Sequence, residues 1–485
     1  MTCRQRTSEY PVPGSFRLLR FLFISLLLTL LLAGCEQNSQ LERIQATGKL
    51  LVATRVAGTS FYPGAKGPEG LEYELIQRFA QEIGVTPQFI FPKDVDTLLH
   101  ATKSGAVHMA AASLTVTSQR QSFLRFSDSY QQIEEQVVYR RGNRKPRSLD
   151  EIEHGQLHVI GNSSHVETLR HLKKIQPTLD WVTRYNTSQD ALFAQVNRGD
   201  IPLTVGDSHE LARAQRMHPH LTHALTIGQP QSLAWAFPAG GDGSLLEAAN
   251  AFLEKIRTNG TLELLLERYY GHTERMNFVD RRDFHRHMRD RLPKYRQFFM
   301  EAAKSTGYDW RLLAAIGYQE SHWRPNAVSP TGVRGLMMLT QAAAKRVGVK
   351  KRTDAEQSIR GGAEYLKIVE AQIPERIKAP DRIWLALAGY NVGFGHLEDA
   401  RVLTERHGGN PDLWMDVKKH LPLLGQKKYY TTLRNGYARG GEPVNYVENI
   451  RNYYDLLVWY EKNPVPCQRR YRYSTASASM DKNTW

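Results

Sequence analysis

The hydrophobic pattern of this 485-residue chain changes at Gly271, and the change predicts two domains of different fold class. Before Gly271, short apolar runs suited to strands alternate with amphipathic helical segments. Beyond it, nearly every apolar segment has helical period and runs of β-branched residues are scarce. Because single hydrophobic cores stop growing at about 250–300 residues, the length also favours two cores.

Strand-like and helix-like segments follow one another regularly in the first part of the chain. In order they are a strand at 48–56, a helix at 70–85, a strand at 86–92, a helix at 95–105 and a strand at 106–114. The alternation restarts at 155–172 and closes at 245–271 with two amphipathic helices separated by Asn259-Gly260. This order predicts an α/β domain with a mostly parallel sheet.

The first 34 residues have the pattern of a secretory signal. Four arginines precede an apolar run from Phe21 to Ala33, which is too short to span a bilayer comfortably. The run ends in Leu-Ala-Gly before Cys35, which resembles the lipobox of bacterial lipoproteins and implies that Cys35 is lipidated after cleavage. Glu36 follows where Asp usually marks inner-membrane retention, so the resemblance implies the inner leaflet of the outer membrane, facing the periplasm. An ordinary signal peptide with an incidental cysteine is the alternative.

Positive charge is concentrated in the second half. Residues 272–485 hold 36 Lys and Arg against 23 Asp and Glu, out of 64 and 49 in the chain. Because an exported protein does not meet nucleic acid, we expect anionic lipid and wall-peptide carboxylates as its acidic partners. No Cys/His cluster has zinc spacing, and His285 and His287 lie in a charged run that should face water. We therefore predict no metal site and no organic cofactor.

Glu320 is the carboxyl with the most suggestive position. Asp309 is a plausible N-cap for a helix through "WRLLAAIGYQES", and Glu320 ends its apolar stripe, after Leu313 and Ile316. A partly desolvated carboxyl has a raised pKa, as a general acid near neutral pH requires. A glutamate at a helix end is, however, more often simply solvated.

Four short sequence motifs, the first of which contains Glu320, bear on the role of this residue. They are Glu320-Ser321, "SPTGVRGLM" (329–337), "GYNVG" (389–393) and "EPVNYV" (442–447). Their residues and spacing resemble the goose-lysozyme-like soluble lytic transglycosylase family across roughly 295–460, and the whole chain is similar to its membrane-bound F type. The resemblance implies that Glu320 is the catalytic acid/base that cuts the glycan strands of peptidoglycan. The residues it places in the substrate cleft are Ser329, Tyr390, Asn391, Glu442 and Tyr446.

At two positions this chain differs from the family motif, and at two others a purely structural role is the alternative. Val333 stands where the family has Ala, and Met338 where it has Gln, so we expect Met337 and Met338 to be a core pair at helical spacing. Asn391 and Glu442 are open to a purely structural interpretation.

The lack of a second acidic residue close after Glu320 in the sequence bears on the type of reaction. Glycoside hydrolases usually need two carboxyls, yet no acidic residue follows Glu320 until Asp354. A lone glutamate can protonate the leaving oxygen and then deprotonate the C6 hydroxyl of N-acetylmuramic acid, which gives a 1,6-anhydro sugar without water. The alternatives are a hydrolytic muramidase and a lipoprotein sensor with a non-catalytic wall-binding domain.

The segment "AASLTVTSQR" (111–120) resembles the binding site of bacterial extracellular solute-binding proteins of family 3. The resemblance implies a bilobed periplasmic-binding-protein-like fold in which Ser113, Thr115 and Arg120 hold an α-carboxylate and Asp207 takes the α-amino group. A helix that opens around Ser163 and Ser164 would offer a second anion cradle through its free N–H groups. We expect an amino acid or wall peptide to bind there and to regulate cleavage.

The predicted organisation therefore has four parts. Residues 1–34 are a lipoprotein signal peptide, 35–271 a non-catalytic, solute-binding-like regulatory domain, and 272–465 a lytic transglycosylase domain with a mainly α, lysozyme-like fold. Residues 466–485 are expected to be a disordered tail.

Overall fold

The structure is a computed structural model that describes residues 38–64, 67–271, 278–330 and 332–462. The predicted signal segment, Cys35 and the predicted tail lie outside the described residues. Within those four ranges, none of the helices combines the length and the apolar character needed to cross a membrane.

The first part of the described chain contains eleven strands, nine of which form one sheet, while β2 and β3 pair separately. In chain order they are β1 (Lys49–Ala53), β2 (Tyr62–Pro63), β3 (Pro68–Glu69), β4 (Thr86–Ile90), β5 (Met109–Thr115), β6 (Leu124–Phe126), β7 (Gln131–Arg140), β8 (Leu157–Ile160), β9 (Val182–Arg184), β10 (Leu203–Asp207) and β11 (Leu221–Pro238). The predicted strands at 48–56, 86–92 and 106–114 are confirmed as β1, β4 and β5.

The sheet is mixed, so the expectation of a mostly parallel sheet is wrong at its centre. The order is β4-β1-β5-β11-β7-β10-β8-β9, with β6 against β11. The strands β4-β1-β5 and β10-β8-β9 are parallel sets, but β11 runs antiparallel to β5 and β7, and β7 antiparallel to β10. Because the long strands β7 and β11 link two parallel sets, each with its own core, the domain is bilobed. Strand-helix alternation cannot reveal such crossing strands.

Helices cover the two lobes. They are α1 (Gln40–Thr47), α2 (Leu71–Glu82), α3 (Val95–Lys103), α4 (Ser118–Gln121), α5 (Ser164–Ile175), α6 (Gln189–Arg198), α7 (Ser208–Met217), α8 (Ser244–Thr258) and α9 (Thr261–Leu266), and a π-turn follows at Glu267–Gly271. In the first lobe Trp235 packs between Phe79 and Phe252, with ring centroids 5.5 and 6.0 Å away. The second lobe has a separate core around Phe193 and Val205. The fold is that of a bilobed periplasmic binding protein.

The second part of the described chain is helical, as predicted. Its α-helices are α10 (Phe278–Asp290), α11 (Arg296–Thr306), α12 (Trp310–Ser321), α13 (Gln341–Arg346), α14 (Ala355–Glu370), α15 (Asp381–Val392), α16 (Phe394–Arg406), α17 (Trp414–His420), α18 (Lys427–Tyr430) and α19 (Gly441–Lys462). Helices α12 and α15 both pack on α19, and an aromatic cluster of Phe284, Tyr318, Trp323 and Tyr453 joins α10, α12 and α19.

The expectation that His285 and His287 face water is wrong. His287 is buried and its Nδ1 lies 3.0 Å from the Tyr318 hydroxyl, and the Nε2 of His285 lies 3.3 Å from the Arg216 carbonyl oxygen. The cause is that α10 packs against both domains, which the charge of its sequence does not show.

Ion pairs join the two domains. Arg216 at the end of α7 contacts Asp455 of α19 at 2.6 Å. Lys418 of α17 contacts Glu267 of the π-turn, and Arg451 of α19 donates to the Arg268 carbonyl oxygen at 2.8 Å. Helix α19 is thus in direct contact with the bilobed domain.

Candidate active site and interlobe cleft

Helix α12 carries Glu320 in its last turn. The Asp309 carboxylate accepts a hydrogen bond from the Arg311 N–H at 2.9 Å, which confirms the predicted N-cap. After Ser321 the chain turns sharply, with φ of 52° at His322 and 55° at Trp323. The Ser321 hydroxyl donates to the Leu336 carbonyl oxygen at 2.8 Å, which ties the 329–337 block to the helix end.

The electrostatic surroundings of Glu320 favour its protonated form. The pKa of Glu320 is raised to about 8, because burial raises it by more than the hydrogen bond from the Tyr446 hydroxyl to Oε1, 2.6 Å long, lowers it. No other charged group of the described residues contributes to this pKa shift. At neutral pH the carboxyl is therefore mostly a proton donor.

Two stacked tyrosines lie at Glu320. The rings of Tyr390 and Tyr446 are nearly parallel, with centroids 6.5 Å apart, and Tyr365 meets Tyr390 edge-on at 5.4 Å. The Tyr390 hydroxyl donates to the Met337 carbonyl oxygen at 3.1 Å. Burial, and then the nearby Glu320 carboxylate, raise the pKa of both Tyr390 and Tyr446, so both keep their hydroxyl protons. Helices α12, α15 and α19 thus supply Glu320, Tyr390 and Tyr446, and α14 supplies Tyr365.

The described residues of the 329–337 block form tight turns. The Ser329 hydroxyl accepts from the Val333 N–H at 3.2 Å. Gly335 has φ of 91°, and an added Cβ would lie 1.8 Å from the Arg352 carbonyl oxygen, so only glycine fits. Met337 is fully buried, but Met338 is half-buried with φ of 46°. The expected helical core pair is therefore wrong, because residues 335–338 form a turn rather than a helix and Met338 has a left-handed backbone conformation.

Asn391 and Glu442 lie at exposed positions, next to the end of α15 and at the start of α19. The Glu442 carboxylate pairs with Arg439 at 3.4 Å and remains 62% exposed. It is not among the groups that shift the pKa of Glu320.

The residues predicted to hold a carboxylate lie in β5 and in the short helix that follows it. Ser113 has φ of 51°, its N–H donates to Glu72 at 2.6 Å, and its Oγ lies 3.1 Å from that of Ser60. Thr115 is buried, and its carbonyl oxygen accepts from buried Arg120 at 2.9 Å. The sequence singled out Ser113, Thr115 and Arg120; Glu72, 41 residues away from Ser113, was missed.

The second lobe contributes the start of α5 and the end of β10. The Ser163 hydroxyl donates to the Ile160 carbonyl oxygen at 2.7 Å, and buried Ser164 begins α5. Asp207 is 2.9 Å from the Nε2 of His165. Burial opposes protonation of this imidazole, but the Asp207 carboxylate prevails and raises the pKa of His165 to about 9.

Sequence reasoning missed His165 and two further buried groups, Glu135 and Glu210. Glu135 of β7 lies directly across from Asp207 in the antiparallel pair, its side chain is buried, and burial raises the pKa of its carboxyl. Glu210 of α7 contacts Arg55 of the first lobe at 2.9 Å, which bridges the cleft. The possible ligand atoms of Glu135, His165 and Asp207 lie within 4.8 Å of one another. Three separate elements supply them, so no sequence spacing could have indicated this cluster.

Comparisons with known proteins agree with both halves of this description. Residues 49–272 match the family model described as bacterial extracellular solute-binding proteins, family 3, and residues 297–411 match the transglycosylase SLT domain. A solved structure of an ancestral amino acid-binding protein aligns at 21% identity with 48% of this chain and 100% of that chain, with a TM-score of 0.42. The two family models define a solute-binding domain joined to a lytic transglycosylase domain.

Relatives of similar length are known. Membrane-bound lytic murein transglycosylase F 1 of Alkalilimnicola ehrlichii is 47% identical, over 87% of this chain and 86% of that protein. Membrane-bound lytic murein transglycosylase F of Pseudomonas syringae pv. tomato is 46% identical, over 89% and 87%. The chain belongs to the membrane-bound lytic murein transglycosylase F family and is an enzyme that acts on peptidoglycan.

Proposed function

We propose that this enzyme cleaves the β-1,4 bond between N-acetylmuramic acid and N-acetylglucosamine, with Glu320 as its single acid/base and a 1,6-anhydromuramic acid end as product. The observation that carries the proposal is the state of Glu320: its pKa is raised to about 8, the Tyr446 hydroxyl donates a hydrogen bond to it, and among the described residues no second carboxylate shifts that pKa. Ser329, Tyr390, Asn391, Glu442 and Tyr446 would line the substrate cleft.

The proposed reaction needs only one carboxyl. Protonated Glu320 gives its proton to the glycosidic oxygen as the bond to C1 breaks. The resulting carboxylate then takes the proton of the C6 hydroxyl while O6 bonds to C1. The carboxyl returns to its starting form and no water is consumed, whereas hydrolysis would need a second carboxyl to activate water.

The test is mass spectrometry of the fragments released from purified sacculi. We expect the wild type to release fragments one water lighter than hydrolysis products, and Glu320→Gln to release none. Glu301→Gln, at an exposed position in the same domain, is the matched control and should behave as wild type. Reducing-end fragments would instead indicate a hydrolytic muramidase. Unchanged fragments from Glu320→Gln would favour a non-catalytic wall-binding domain and a contaminating activity.

The interlobe cleft is proposed to bind an amino acid or wall peptide that regulates cleavage. Buried Arg120, with Ser113 and Thr115, suits a carboxylate, and the start of α5 at Ser163 and Ser164 offers further N–H groups. Asp207, with Glu135 opposite, suits an amino group.

Helix α7 supports the coupling of this cleft to the enzyme. It begins immediately after Asp207 and ends beside Arg216, which contacts Asp455 at 2.6 Å. Asp455 lies on α19, the helix whose Tyr446 reaches Glu320. A ligand that moves α7 would therefore act on α19 directly.

The coupling can be tested by adding each common L-amino acid, D-alanine or D-glutamate to the full-length enzyme. We expect at least one to bind and to change the cleavage rate, and Asp455→Asn to keep binding and basal cleavage but lose the change. Binding that leaves the wild-type rate unaltered would refute regulation.

The organisation of the chain is part of the proposal. We place the signal peptide at 1–34, the regulatory domain at 35–271, the transglycosylase domain at 272–465 and a disordered tail at 466–485. Lipidated Cys35 would anchor the protein to the inner leaflet of the outer membrane, facing the periplasm. In a cell fractionation, Cys35→Ser should move the protein from the outer-membrane to the periplasmic fraction, and an unchanged distribution would exclude the anchor.

A further inference from the structure

Residues 426–440, here called the basic loop, carry four cations and no acidic residue. The loop comprises α18 and the connection to α19. Arg439 pairs with Glu442. Lys427, Lys428 and Arg434 are exposed, and among the described residues none of the three forms an ion pair. The loop therefore presents three uncompensated positive charges on one short segment.

The basic loop lies beside the proposed substrate cleft. The Asn435 N–H donates to Asp399 at 2.9 Å, and its side-chain amide donates to the Gly395 carbonyl oxygen at 2.8 Å. Gly395 follows the end of α15, which carries Tyr390. The loop then leads into α19, where five residues at 1.5 Å each separate Gly441 from Tyr446, about 7.5 Å along the axis.

The loop is held in a defined shape and also presents an aromatic surface. Its Gly440 packs so closely on the Leu421 carbonyl oxygen that an added Cβ would lie 1.6 Å away. Tyr437 is 58% exposed and meets Tyr430 edge-on, with ring centroids 5.7 Å apart. Fixed cations beside an exposed aromatic ring suit a ligand with both carboxylates and apolar groups.

We propose that the basic loop is an outer subsite that binds the carboxylates of the peptide stems on muramic acid residues next to the scissile bond. The proposal rests on the proposed function, because it requires a glycan strand in the Glu320 cleft. That strand carries acidic stems on both sides of the cut, and three cations at the cleft edge are complementary to them. Because exposed charge pairs are individually weak, the three cations together should contribute roughly five- to tenfold in kcat/KM.

The test compares two triple variants that lose the same charge from exposed positions of one domain. Lys427→Ala/Lys428→Ala/Arg434→Ala removes the free cations of the basic loop, and Lys345→Ala/Arg346→Ala/Lys350→Ala is the matched control. The substrates are soluble glycan strands with their peptide stems and the same strands after an amidase has removed the stems.

We expect the loop variant to lose roughly five- to tenfold in kcat/KM on stem-bearing strands at low salt and less than twofold on stripped strands. High salt should reduce the difference, since it screens exposed charges. The control variant should match the wild type on both substrates. Equal losses on both substrates, or no loss on either, would overturn the proposal.

Two further measurements distinguish stem binding by the basic loop from binding to a lipid surface and from a failure of the proposed reaction. Binding to phosphatidylglycerol vesicles that falls only in the loop variant, with cleavage unaffected, would assign the loop to a lipid surface and overturn the stem proposal. Co-sedimentation with sacculi, measured in the Glu320→Gln background, reports binding without cleavage. If that binding depends on the loop and on the stems while the wild type forms no anhydro product, the proposed reaction fails and the stem subsite stands.

Discussion

Replacement of Tyr446 by Phe tests the acid role of Glu320 most directly. The substitution removes the hydroxyl that donates to Glu320 at 2.6 Å and keeps the ring that stacks on Tyr390. The pKa of Glu320, about 8, already includes the lowering by this hydrogen bond, which burial outweighs. A hydrogen bond to a charged group is worth about 1.5–3 kcal/mol, and one pKa unit corresponds to about 1.4 kcal/mol. Its loss should therefore raise the pKa of Glu320 by roughly one to two units.

The assay is the pH dependence of kcat/KM for release of anhydro fragments, which reports the ionisation of the free enzyme. Because the protonated carboxyl starts the reaction, the wild-type rate should fall above pH about 8. In Tyr446→Phe this fall should move to roughly pH 9–10. Tyr365→Phe, which alters a ring that contacts Tyr390 and not Glu320, should leave the profile in place. If the fall in rate at alkaline pH stays at its wild-type position in Tyr446→Phe, or moves to lower pH, the reasoning is refuted.

Two predictions concern stability. In the wild type, folded Glu320 has its pKa raised to about 8 from 4.5, so its cost to folding is absent below the lower value and grows as pH rises towards the upper one. Thermal unfolding should therefore show that Glu320→Gln is more stable than the wild type, and that this advantage is larger at pH 8 than at pH 5 by on the order of 3 kcal/mol. An equal advantage at both pH values would contradict the burial argument. Gly335→Ala should cost about 3 kcal/mol or more because its Cβ would meet the Arg352 backbone. Gly348→Ala, with φ of 69° and open space around it, should cost only about 1–2 kcal/mol in the same melts; similar losses would show that the Arg352 contact relaxes.

Several parts of the fold follow from local patterns. The strands β1, β4 and β5, the helices between them and the Asp309 cap all rest on residues within a few positions of one another. Glu320 stood out for the same reason, since its place at the end of an apolar stripe is a property of one helix. The shift to a helical domain after Gly271 is likewise visible as a change of period.

Other features depend on contacts between distant segments, and only the tertiary structure decided them. The hydrogen bond to Glu320 comes from Tyr446, 126 residues later. Glu135 faces Asp207 because β7 pairs with β10 in one particular register, and His287 is buried because α10 packs on Tyr318. Periodicity shows which face of an element is apolar, but not which partner covers that face. The helix that would hold the acid could therefore be predicted from the sequence, whereas the groups that set its proton affinity could not.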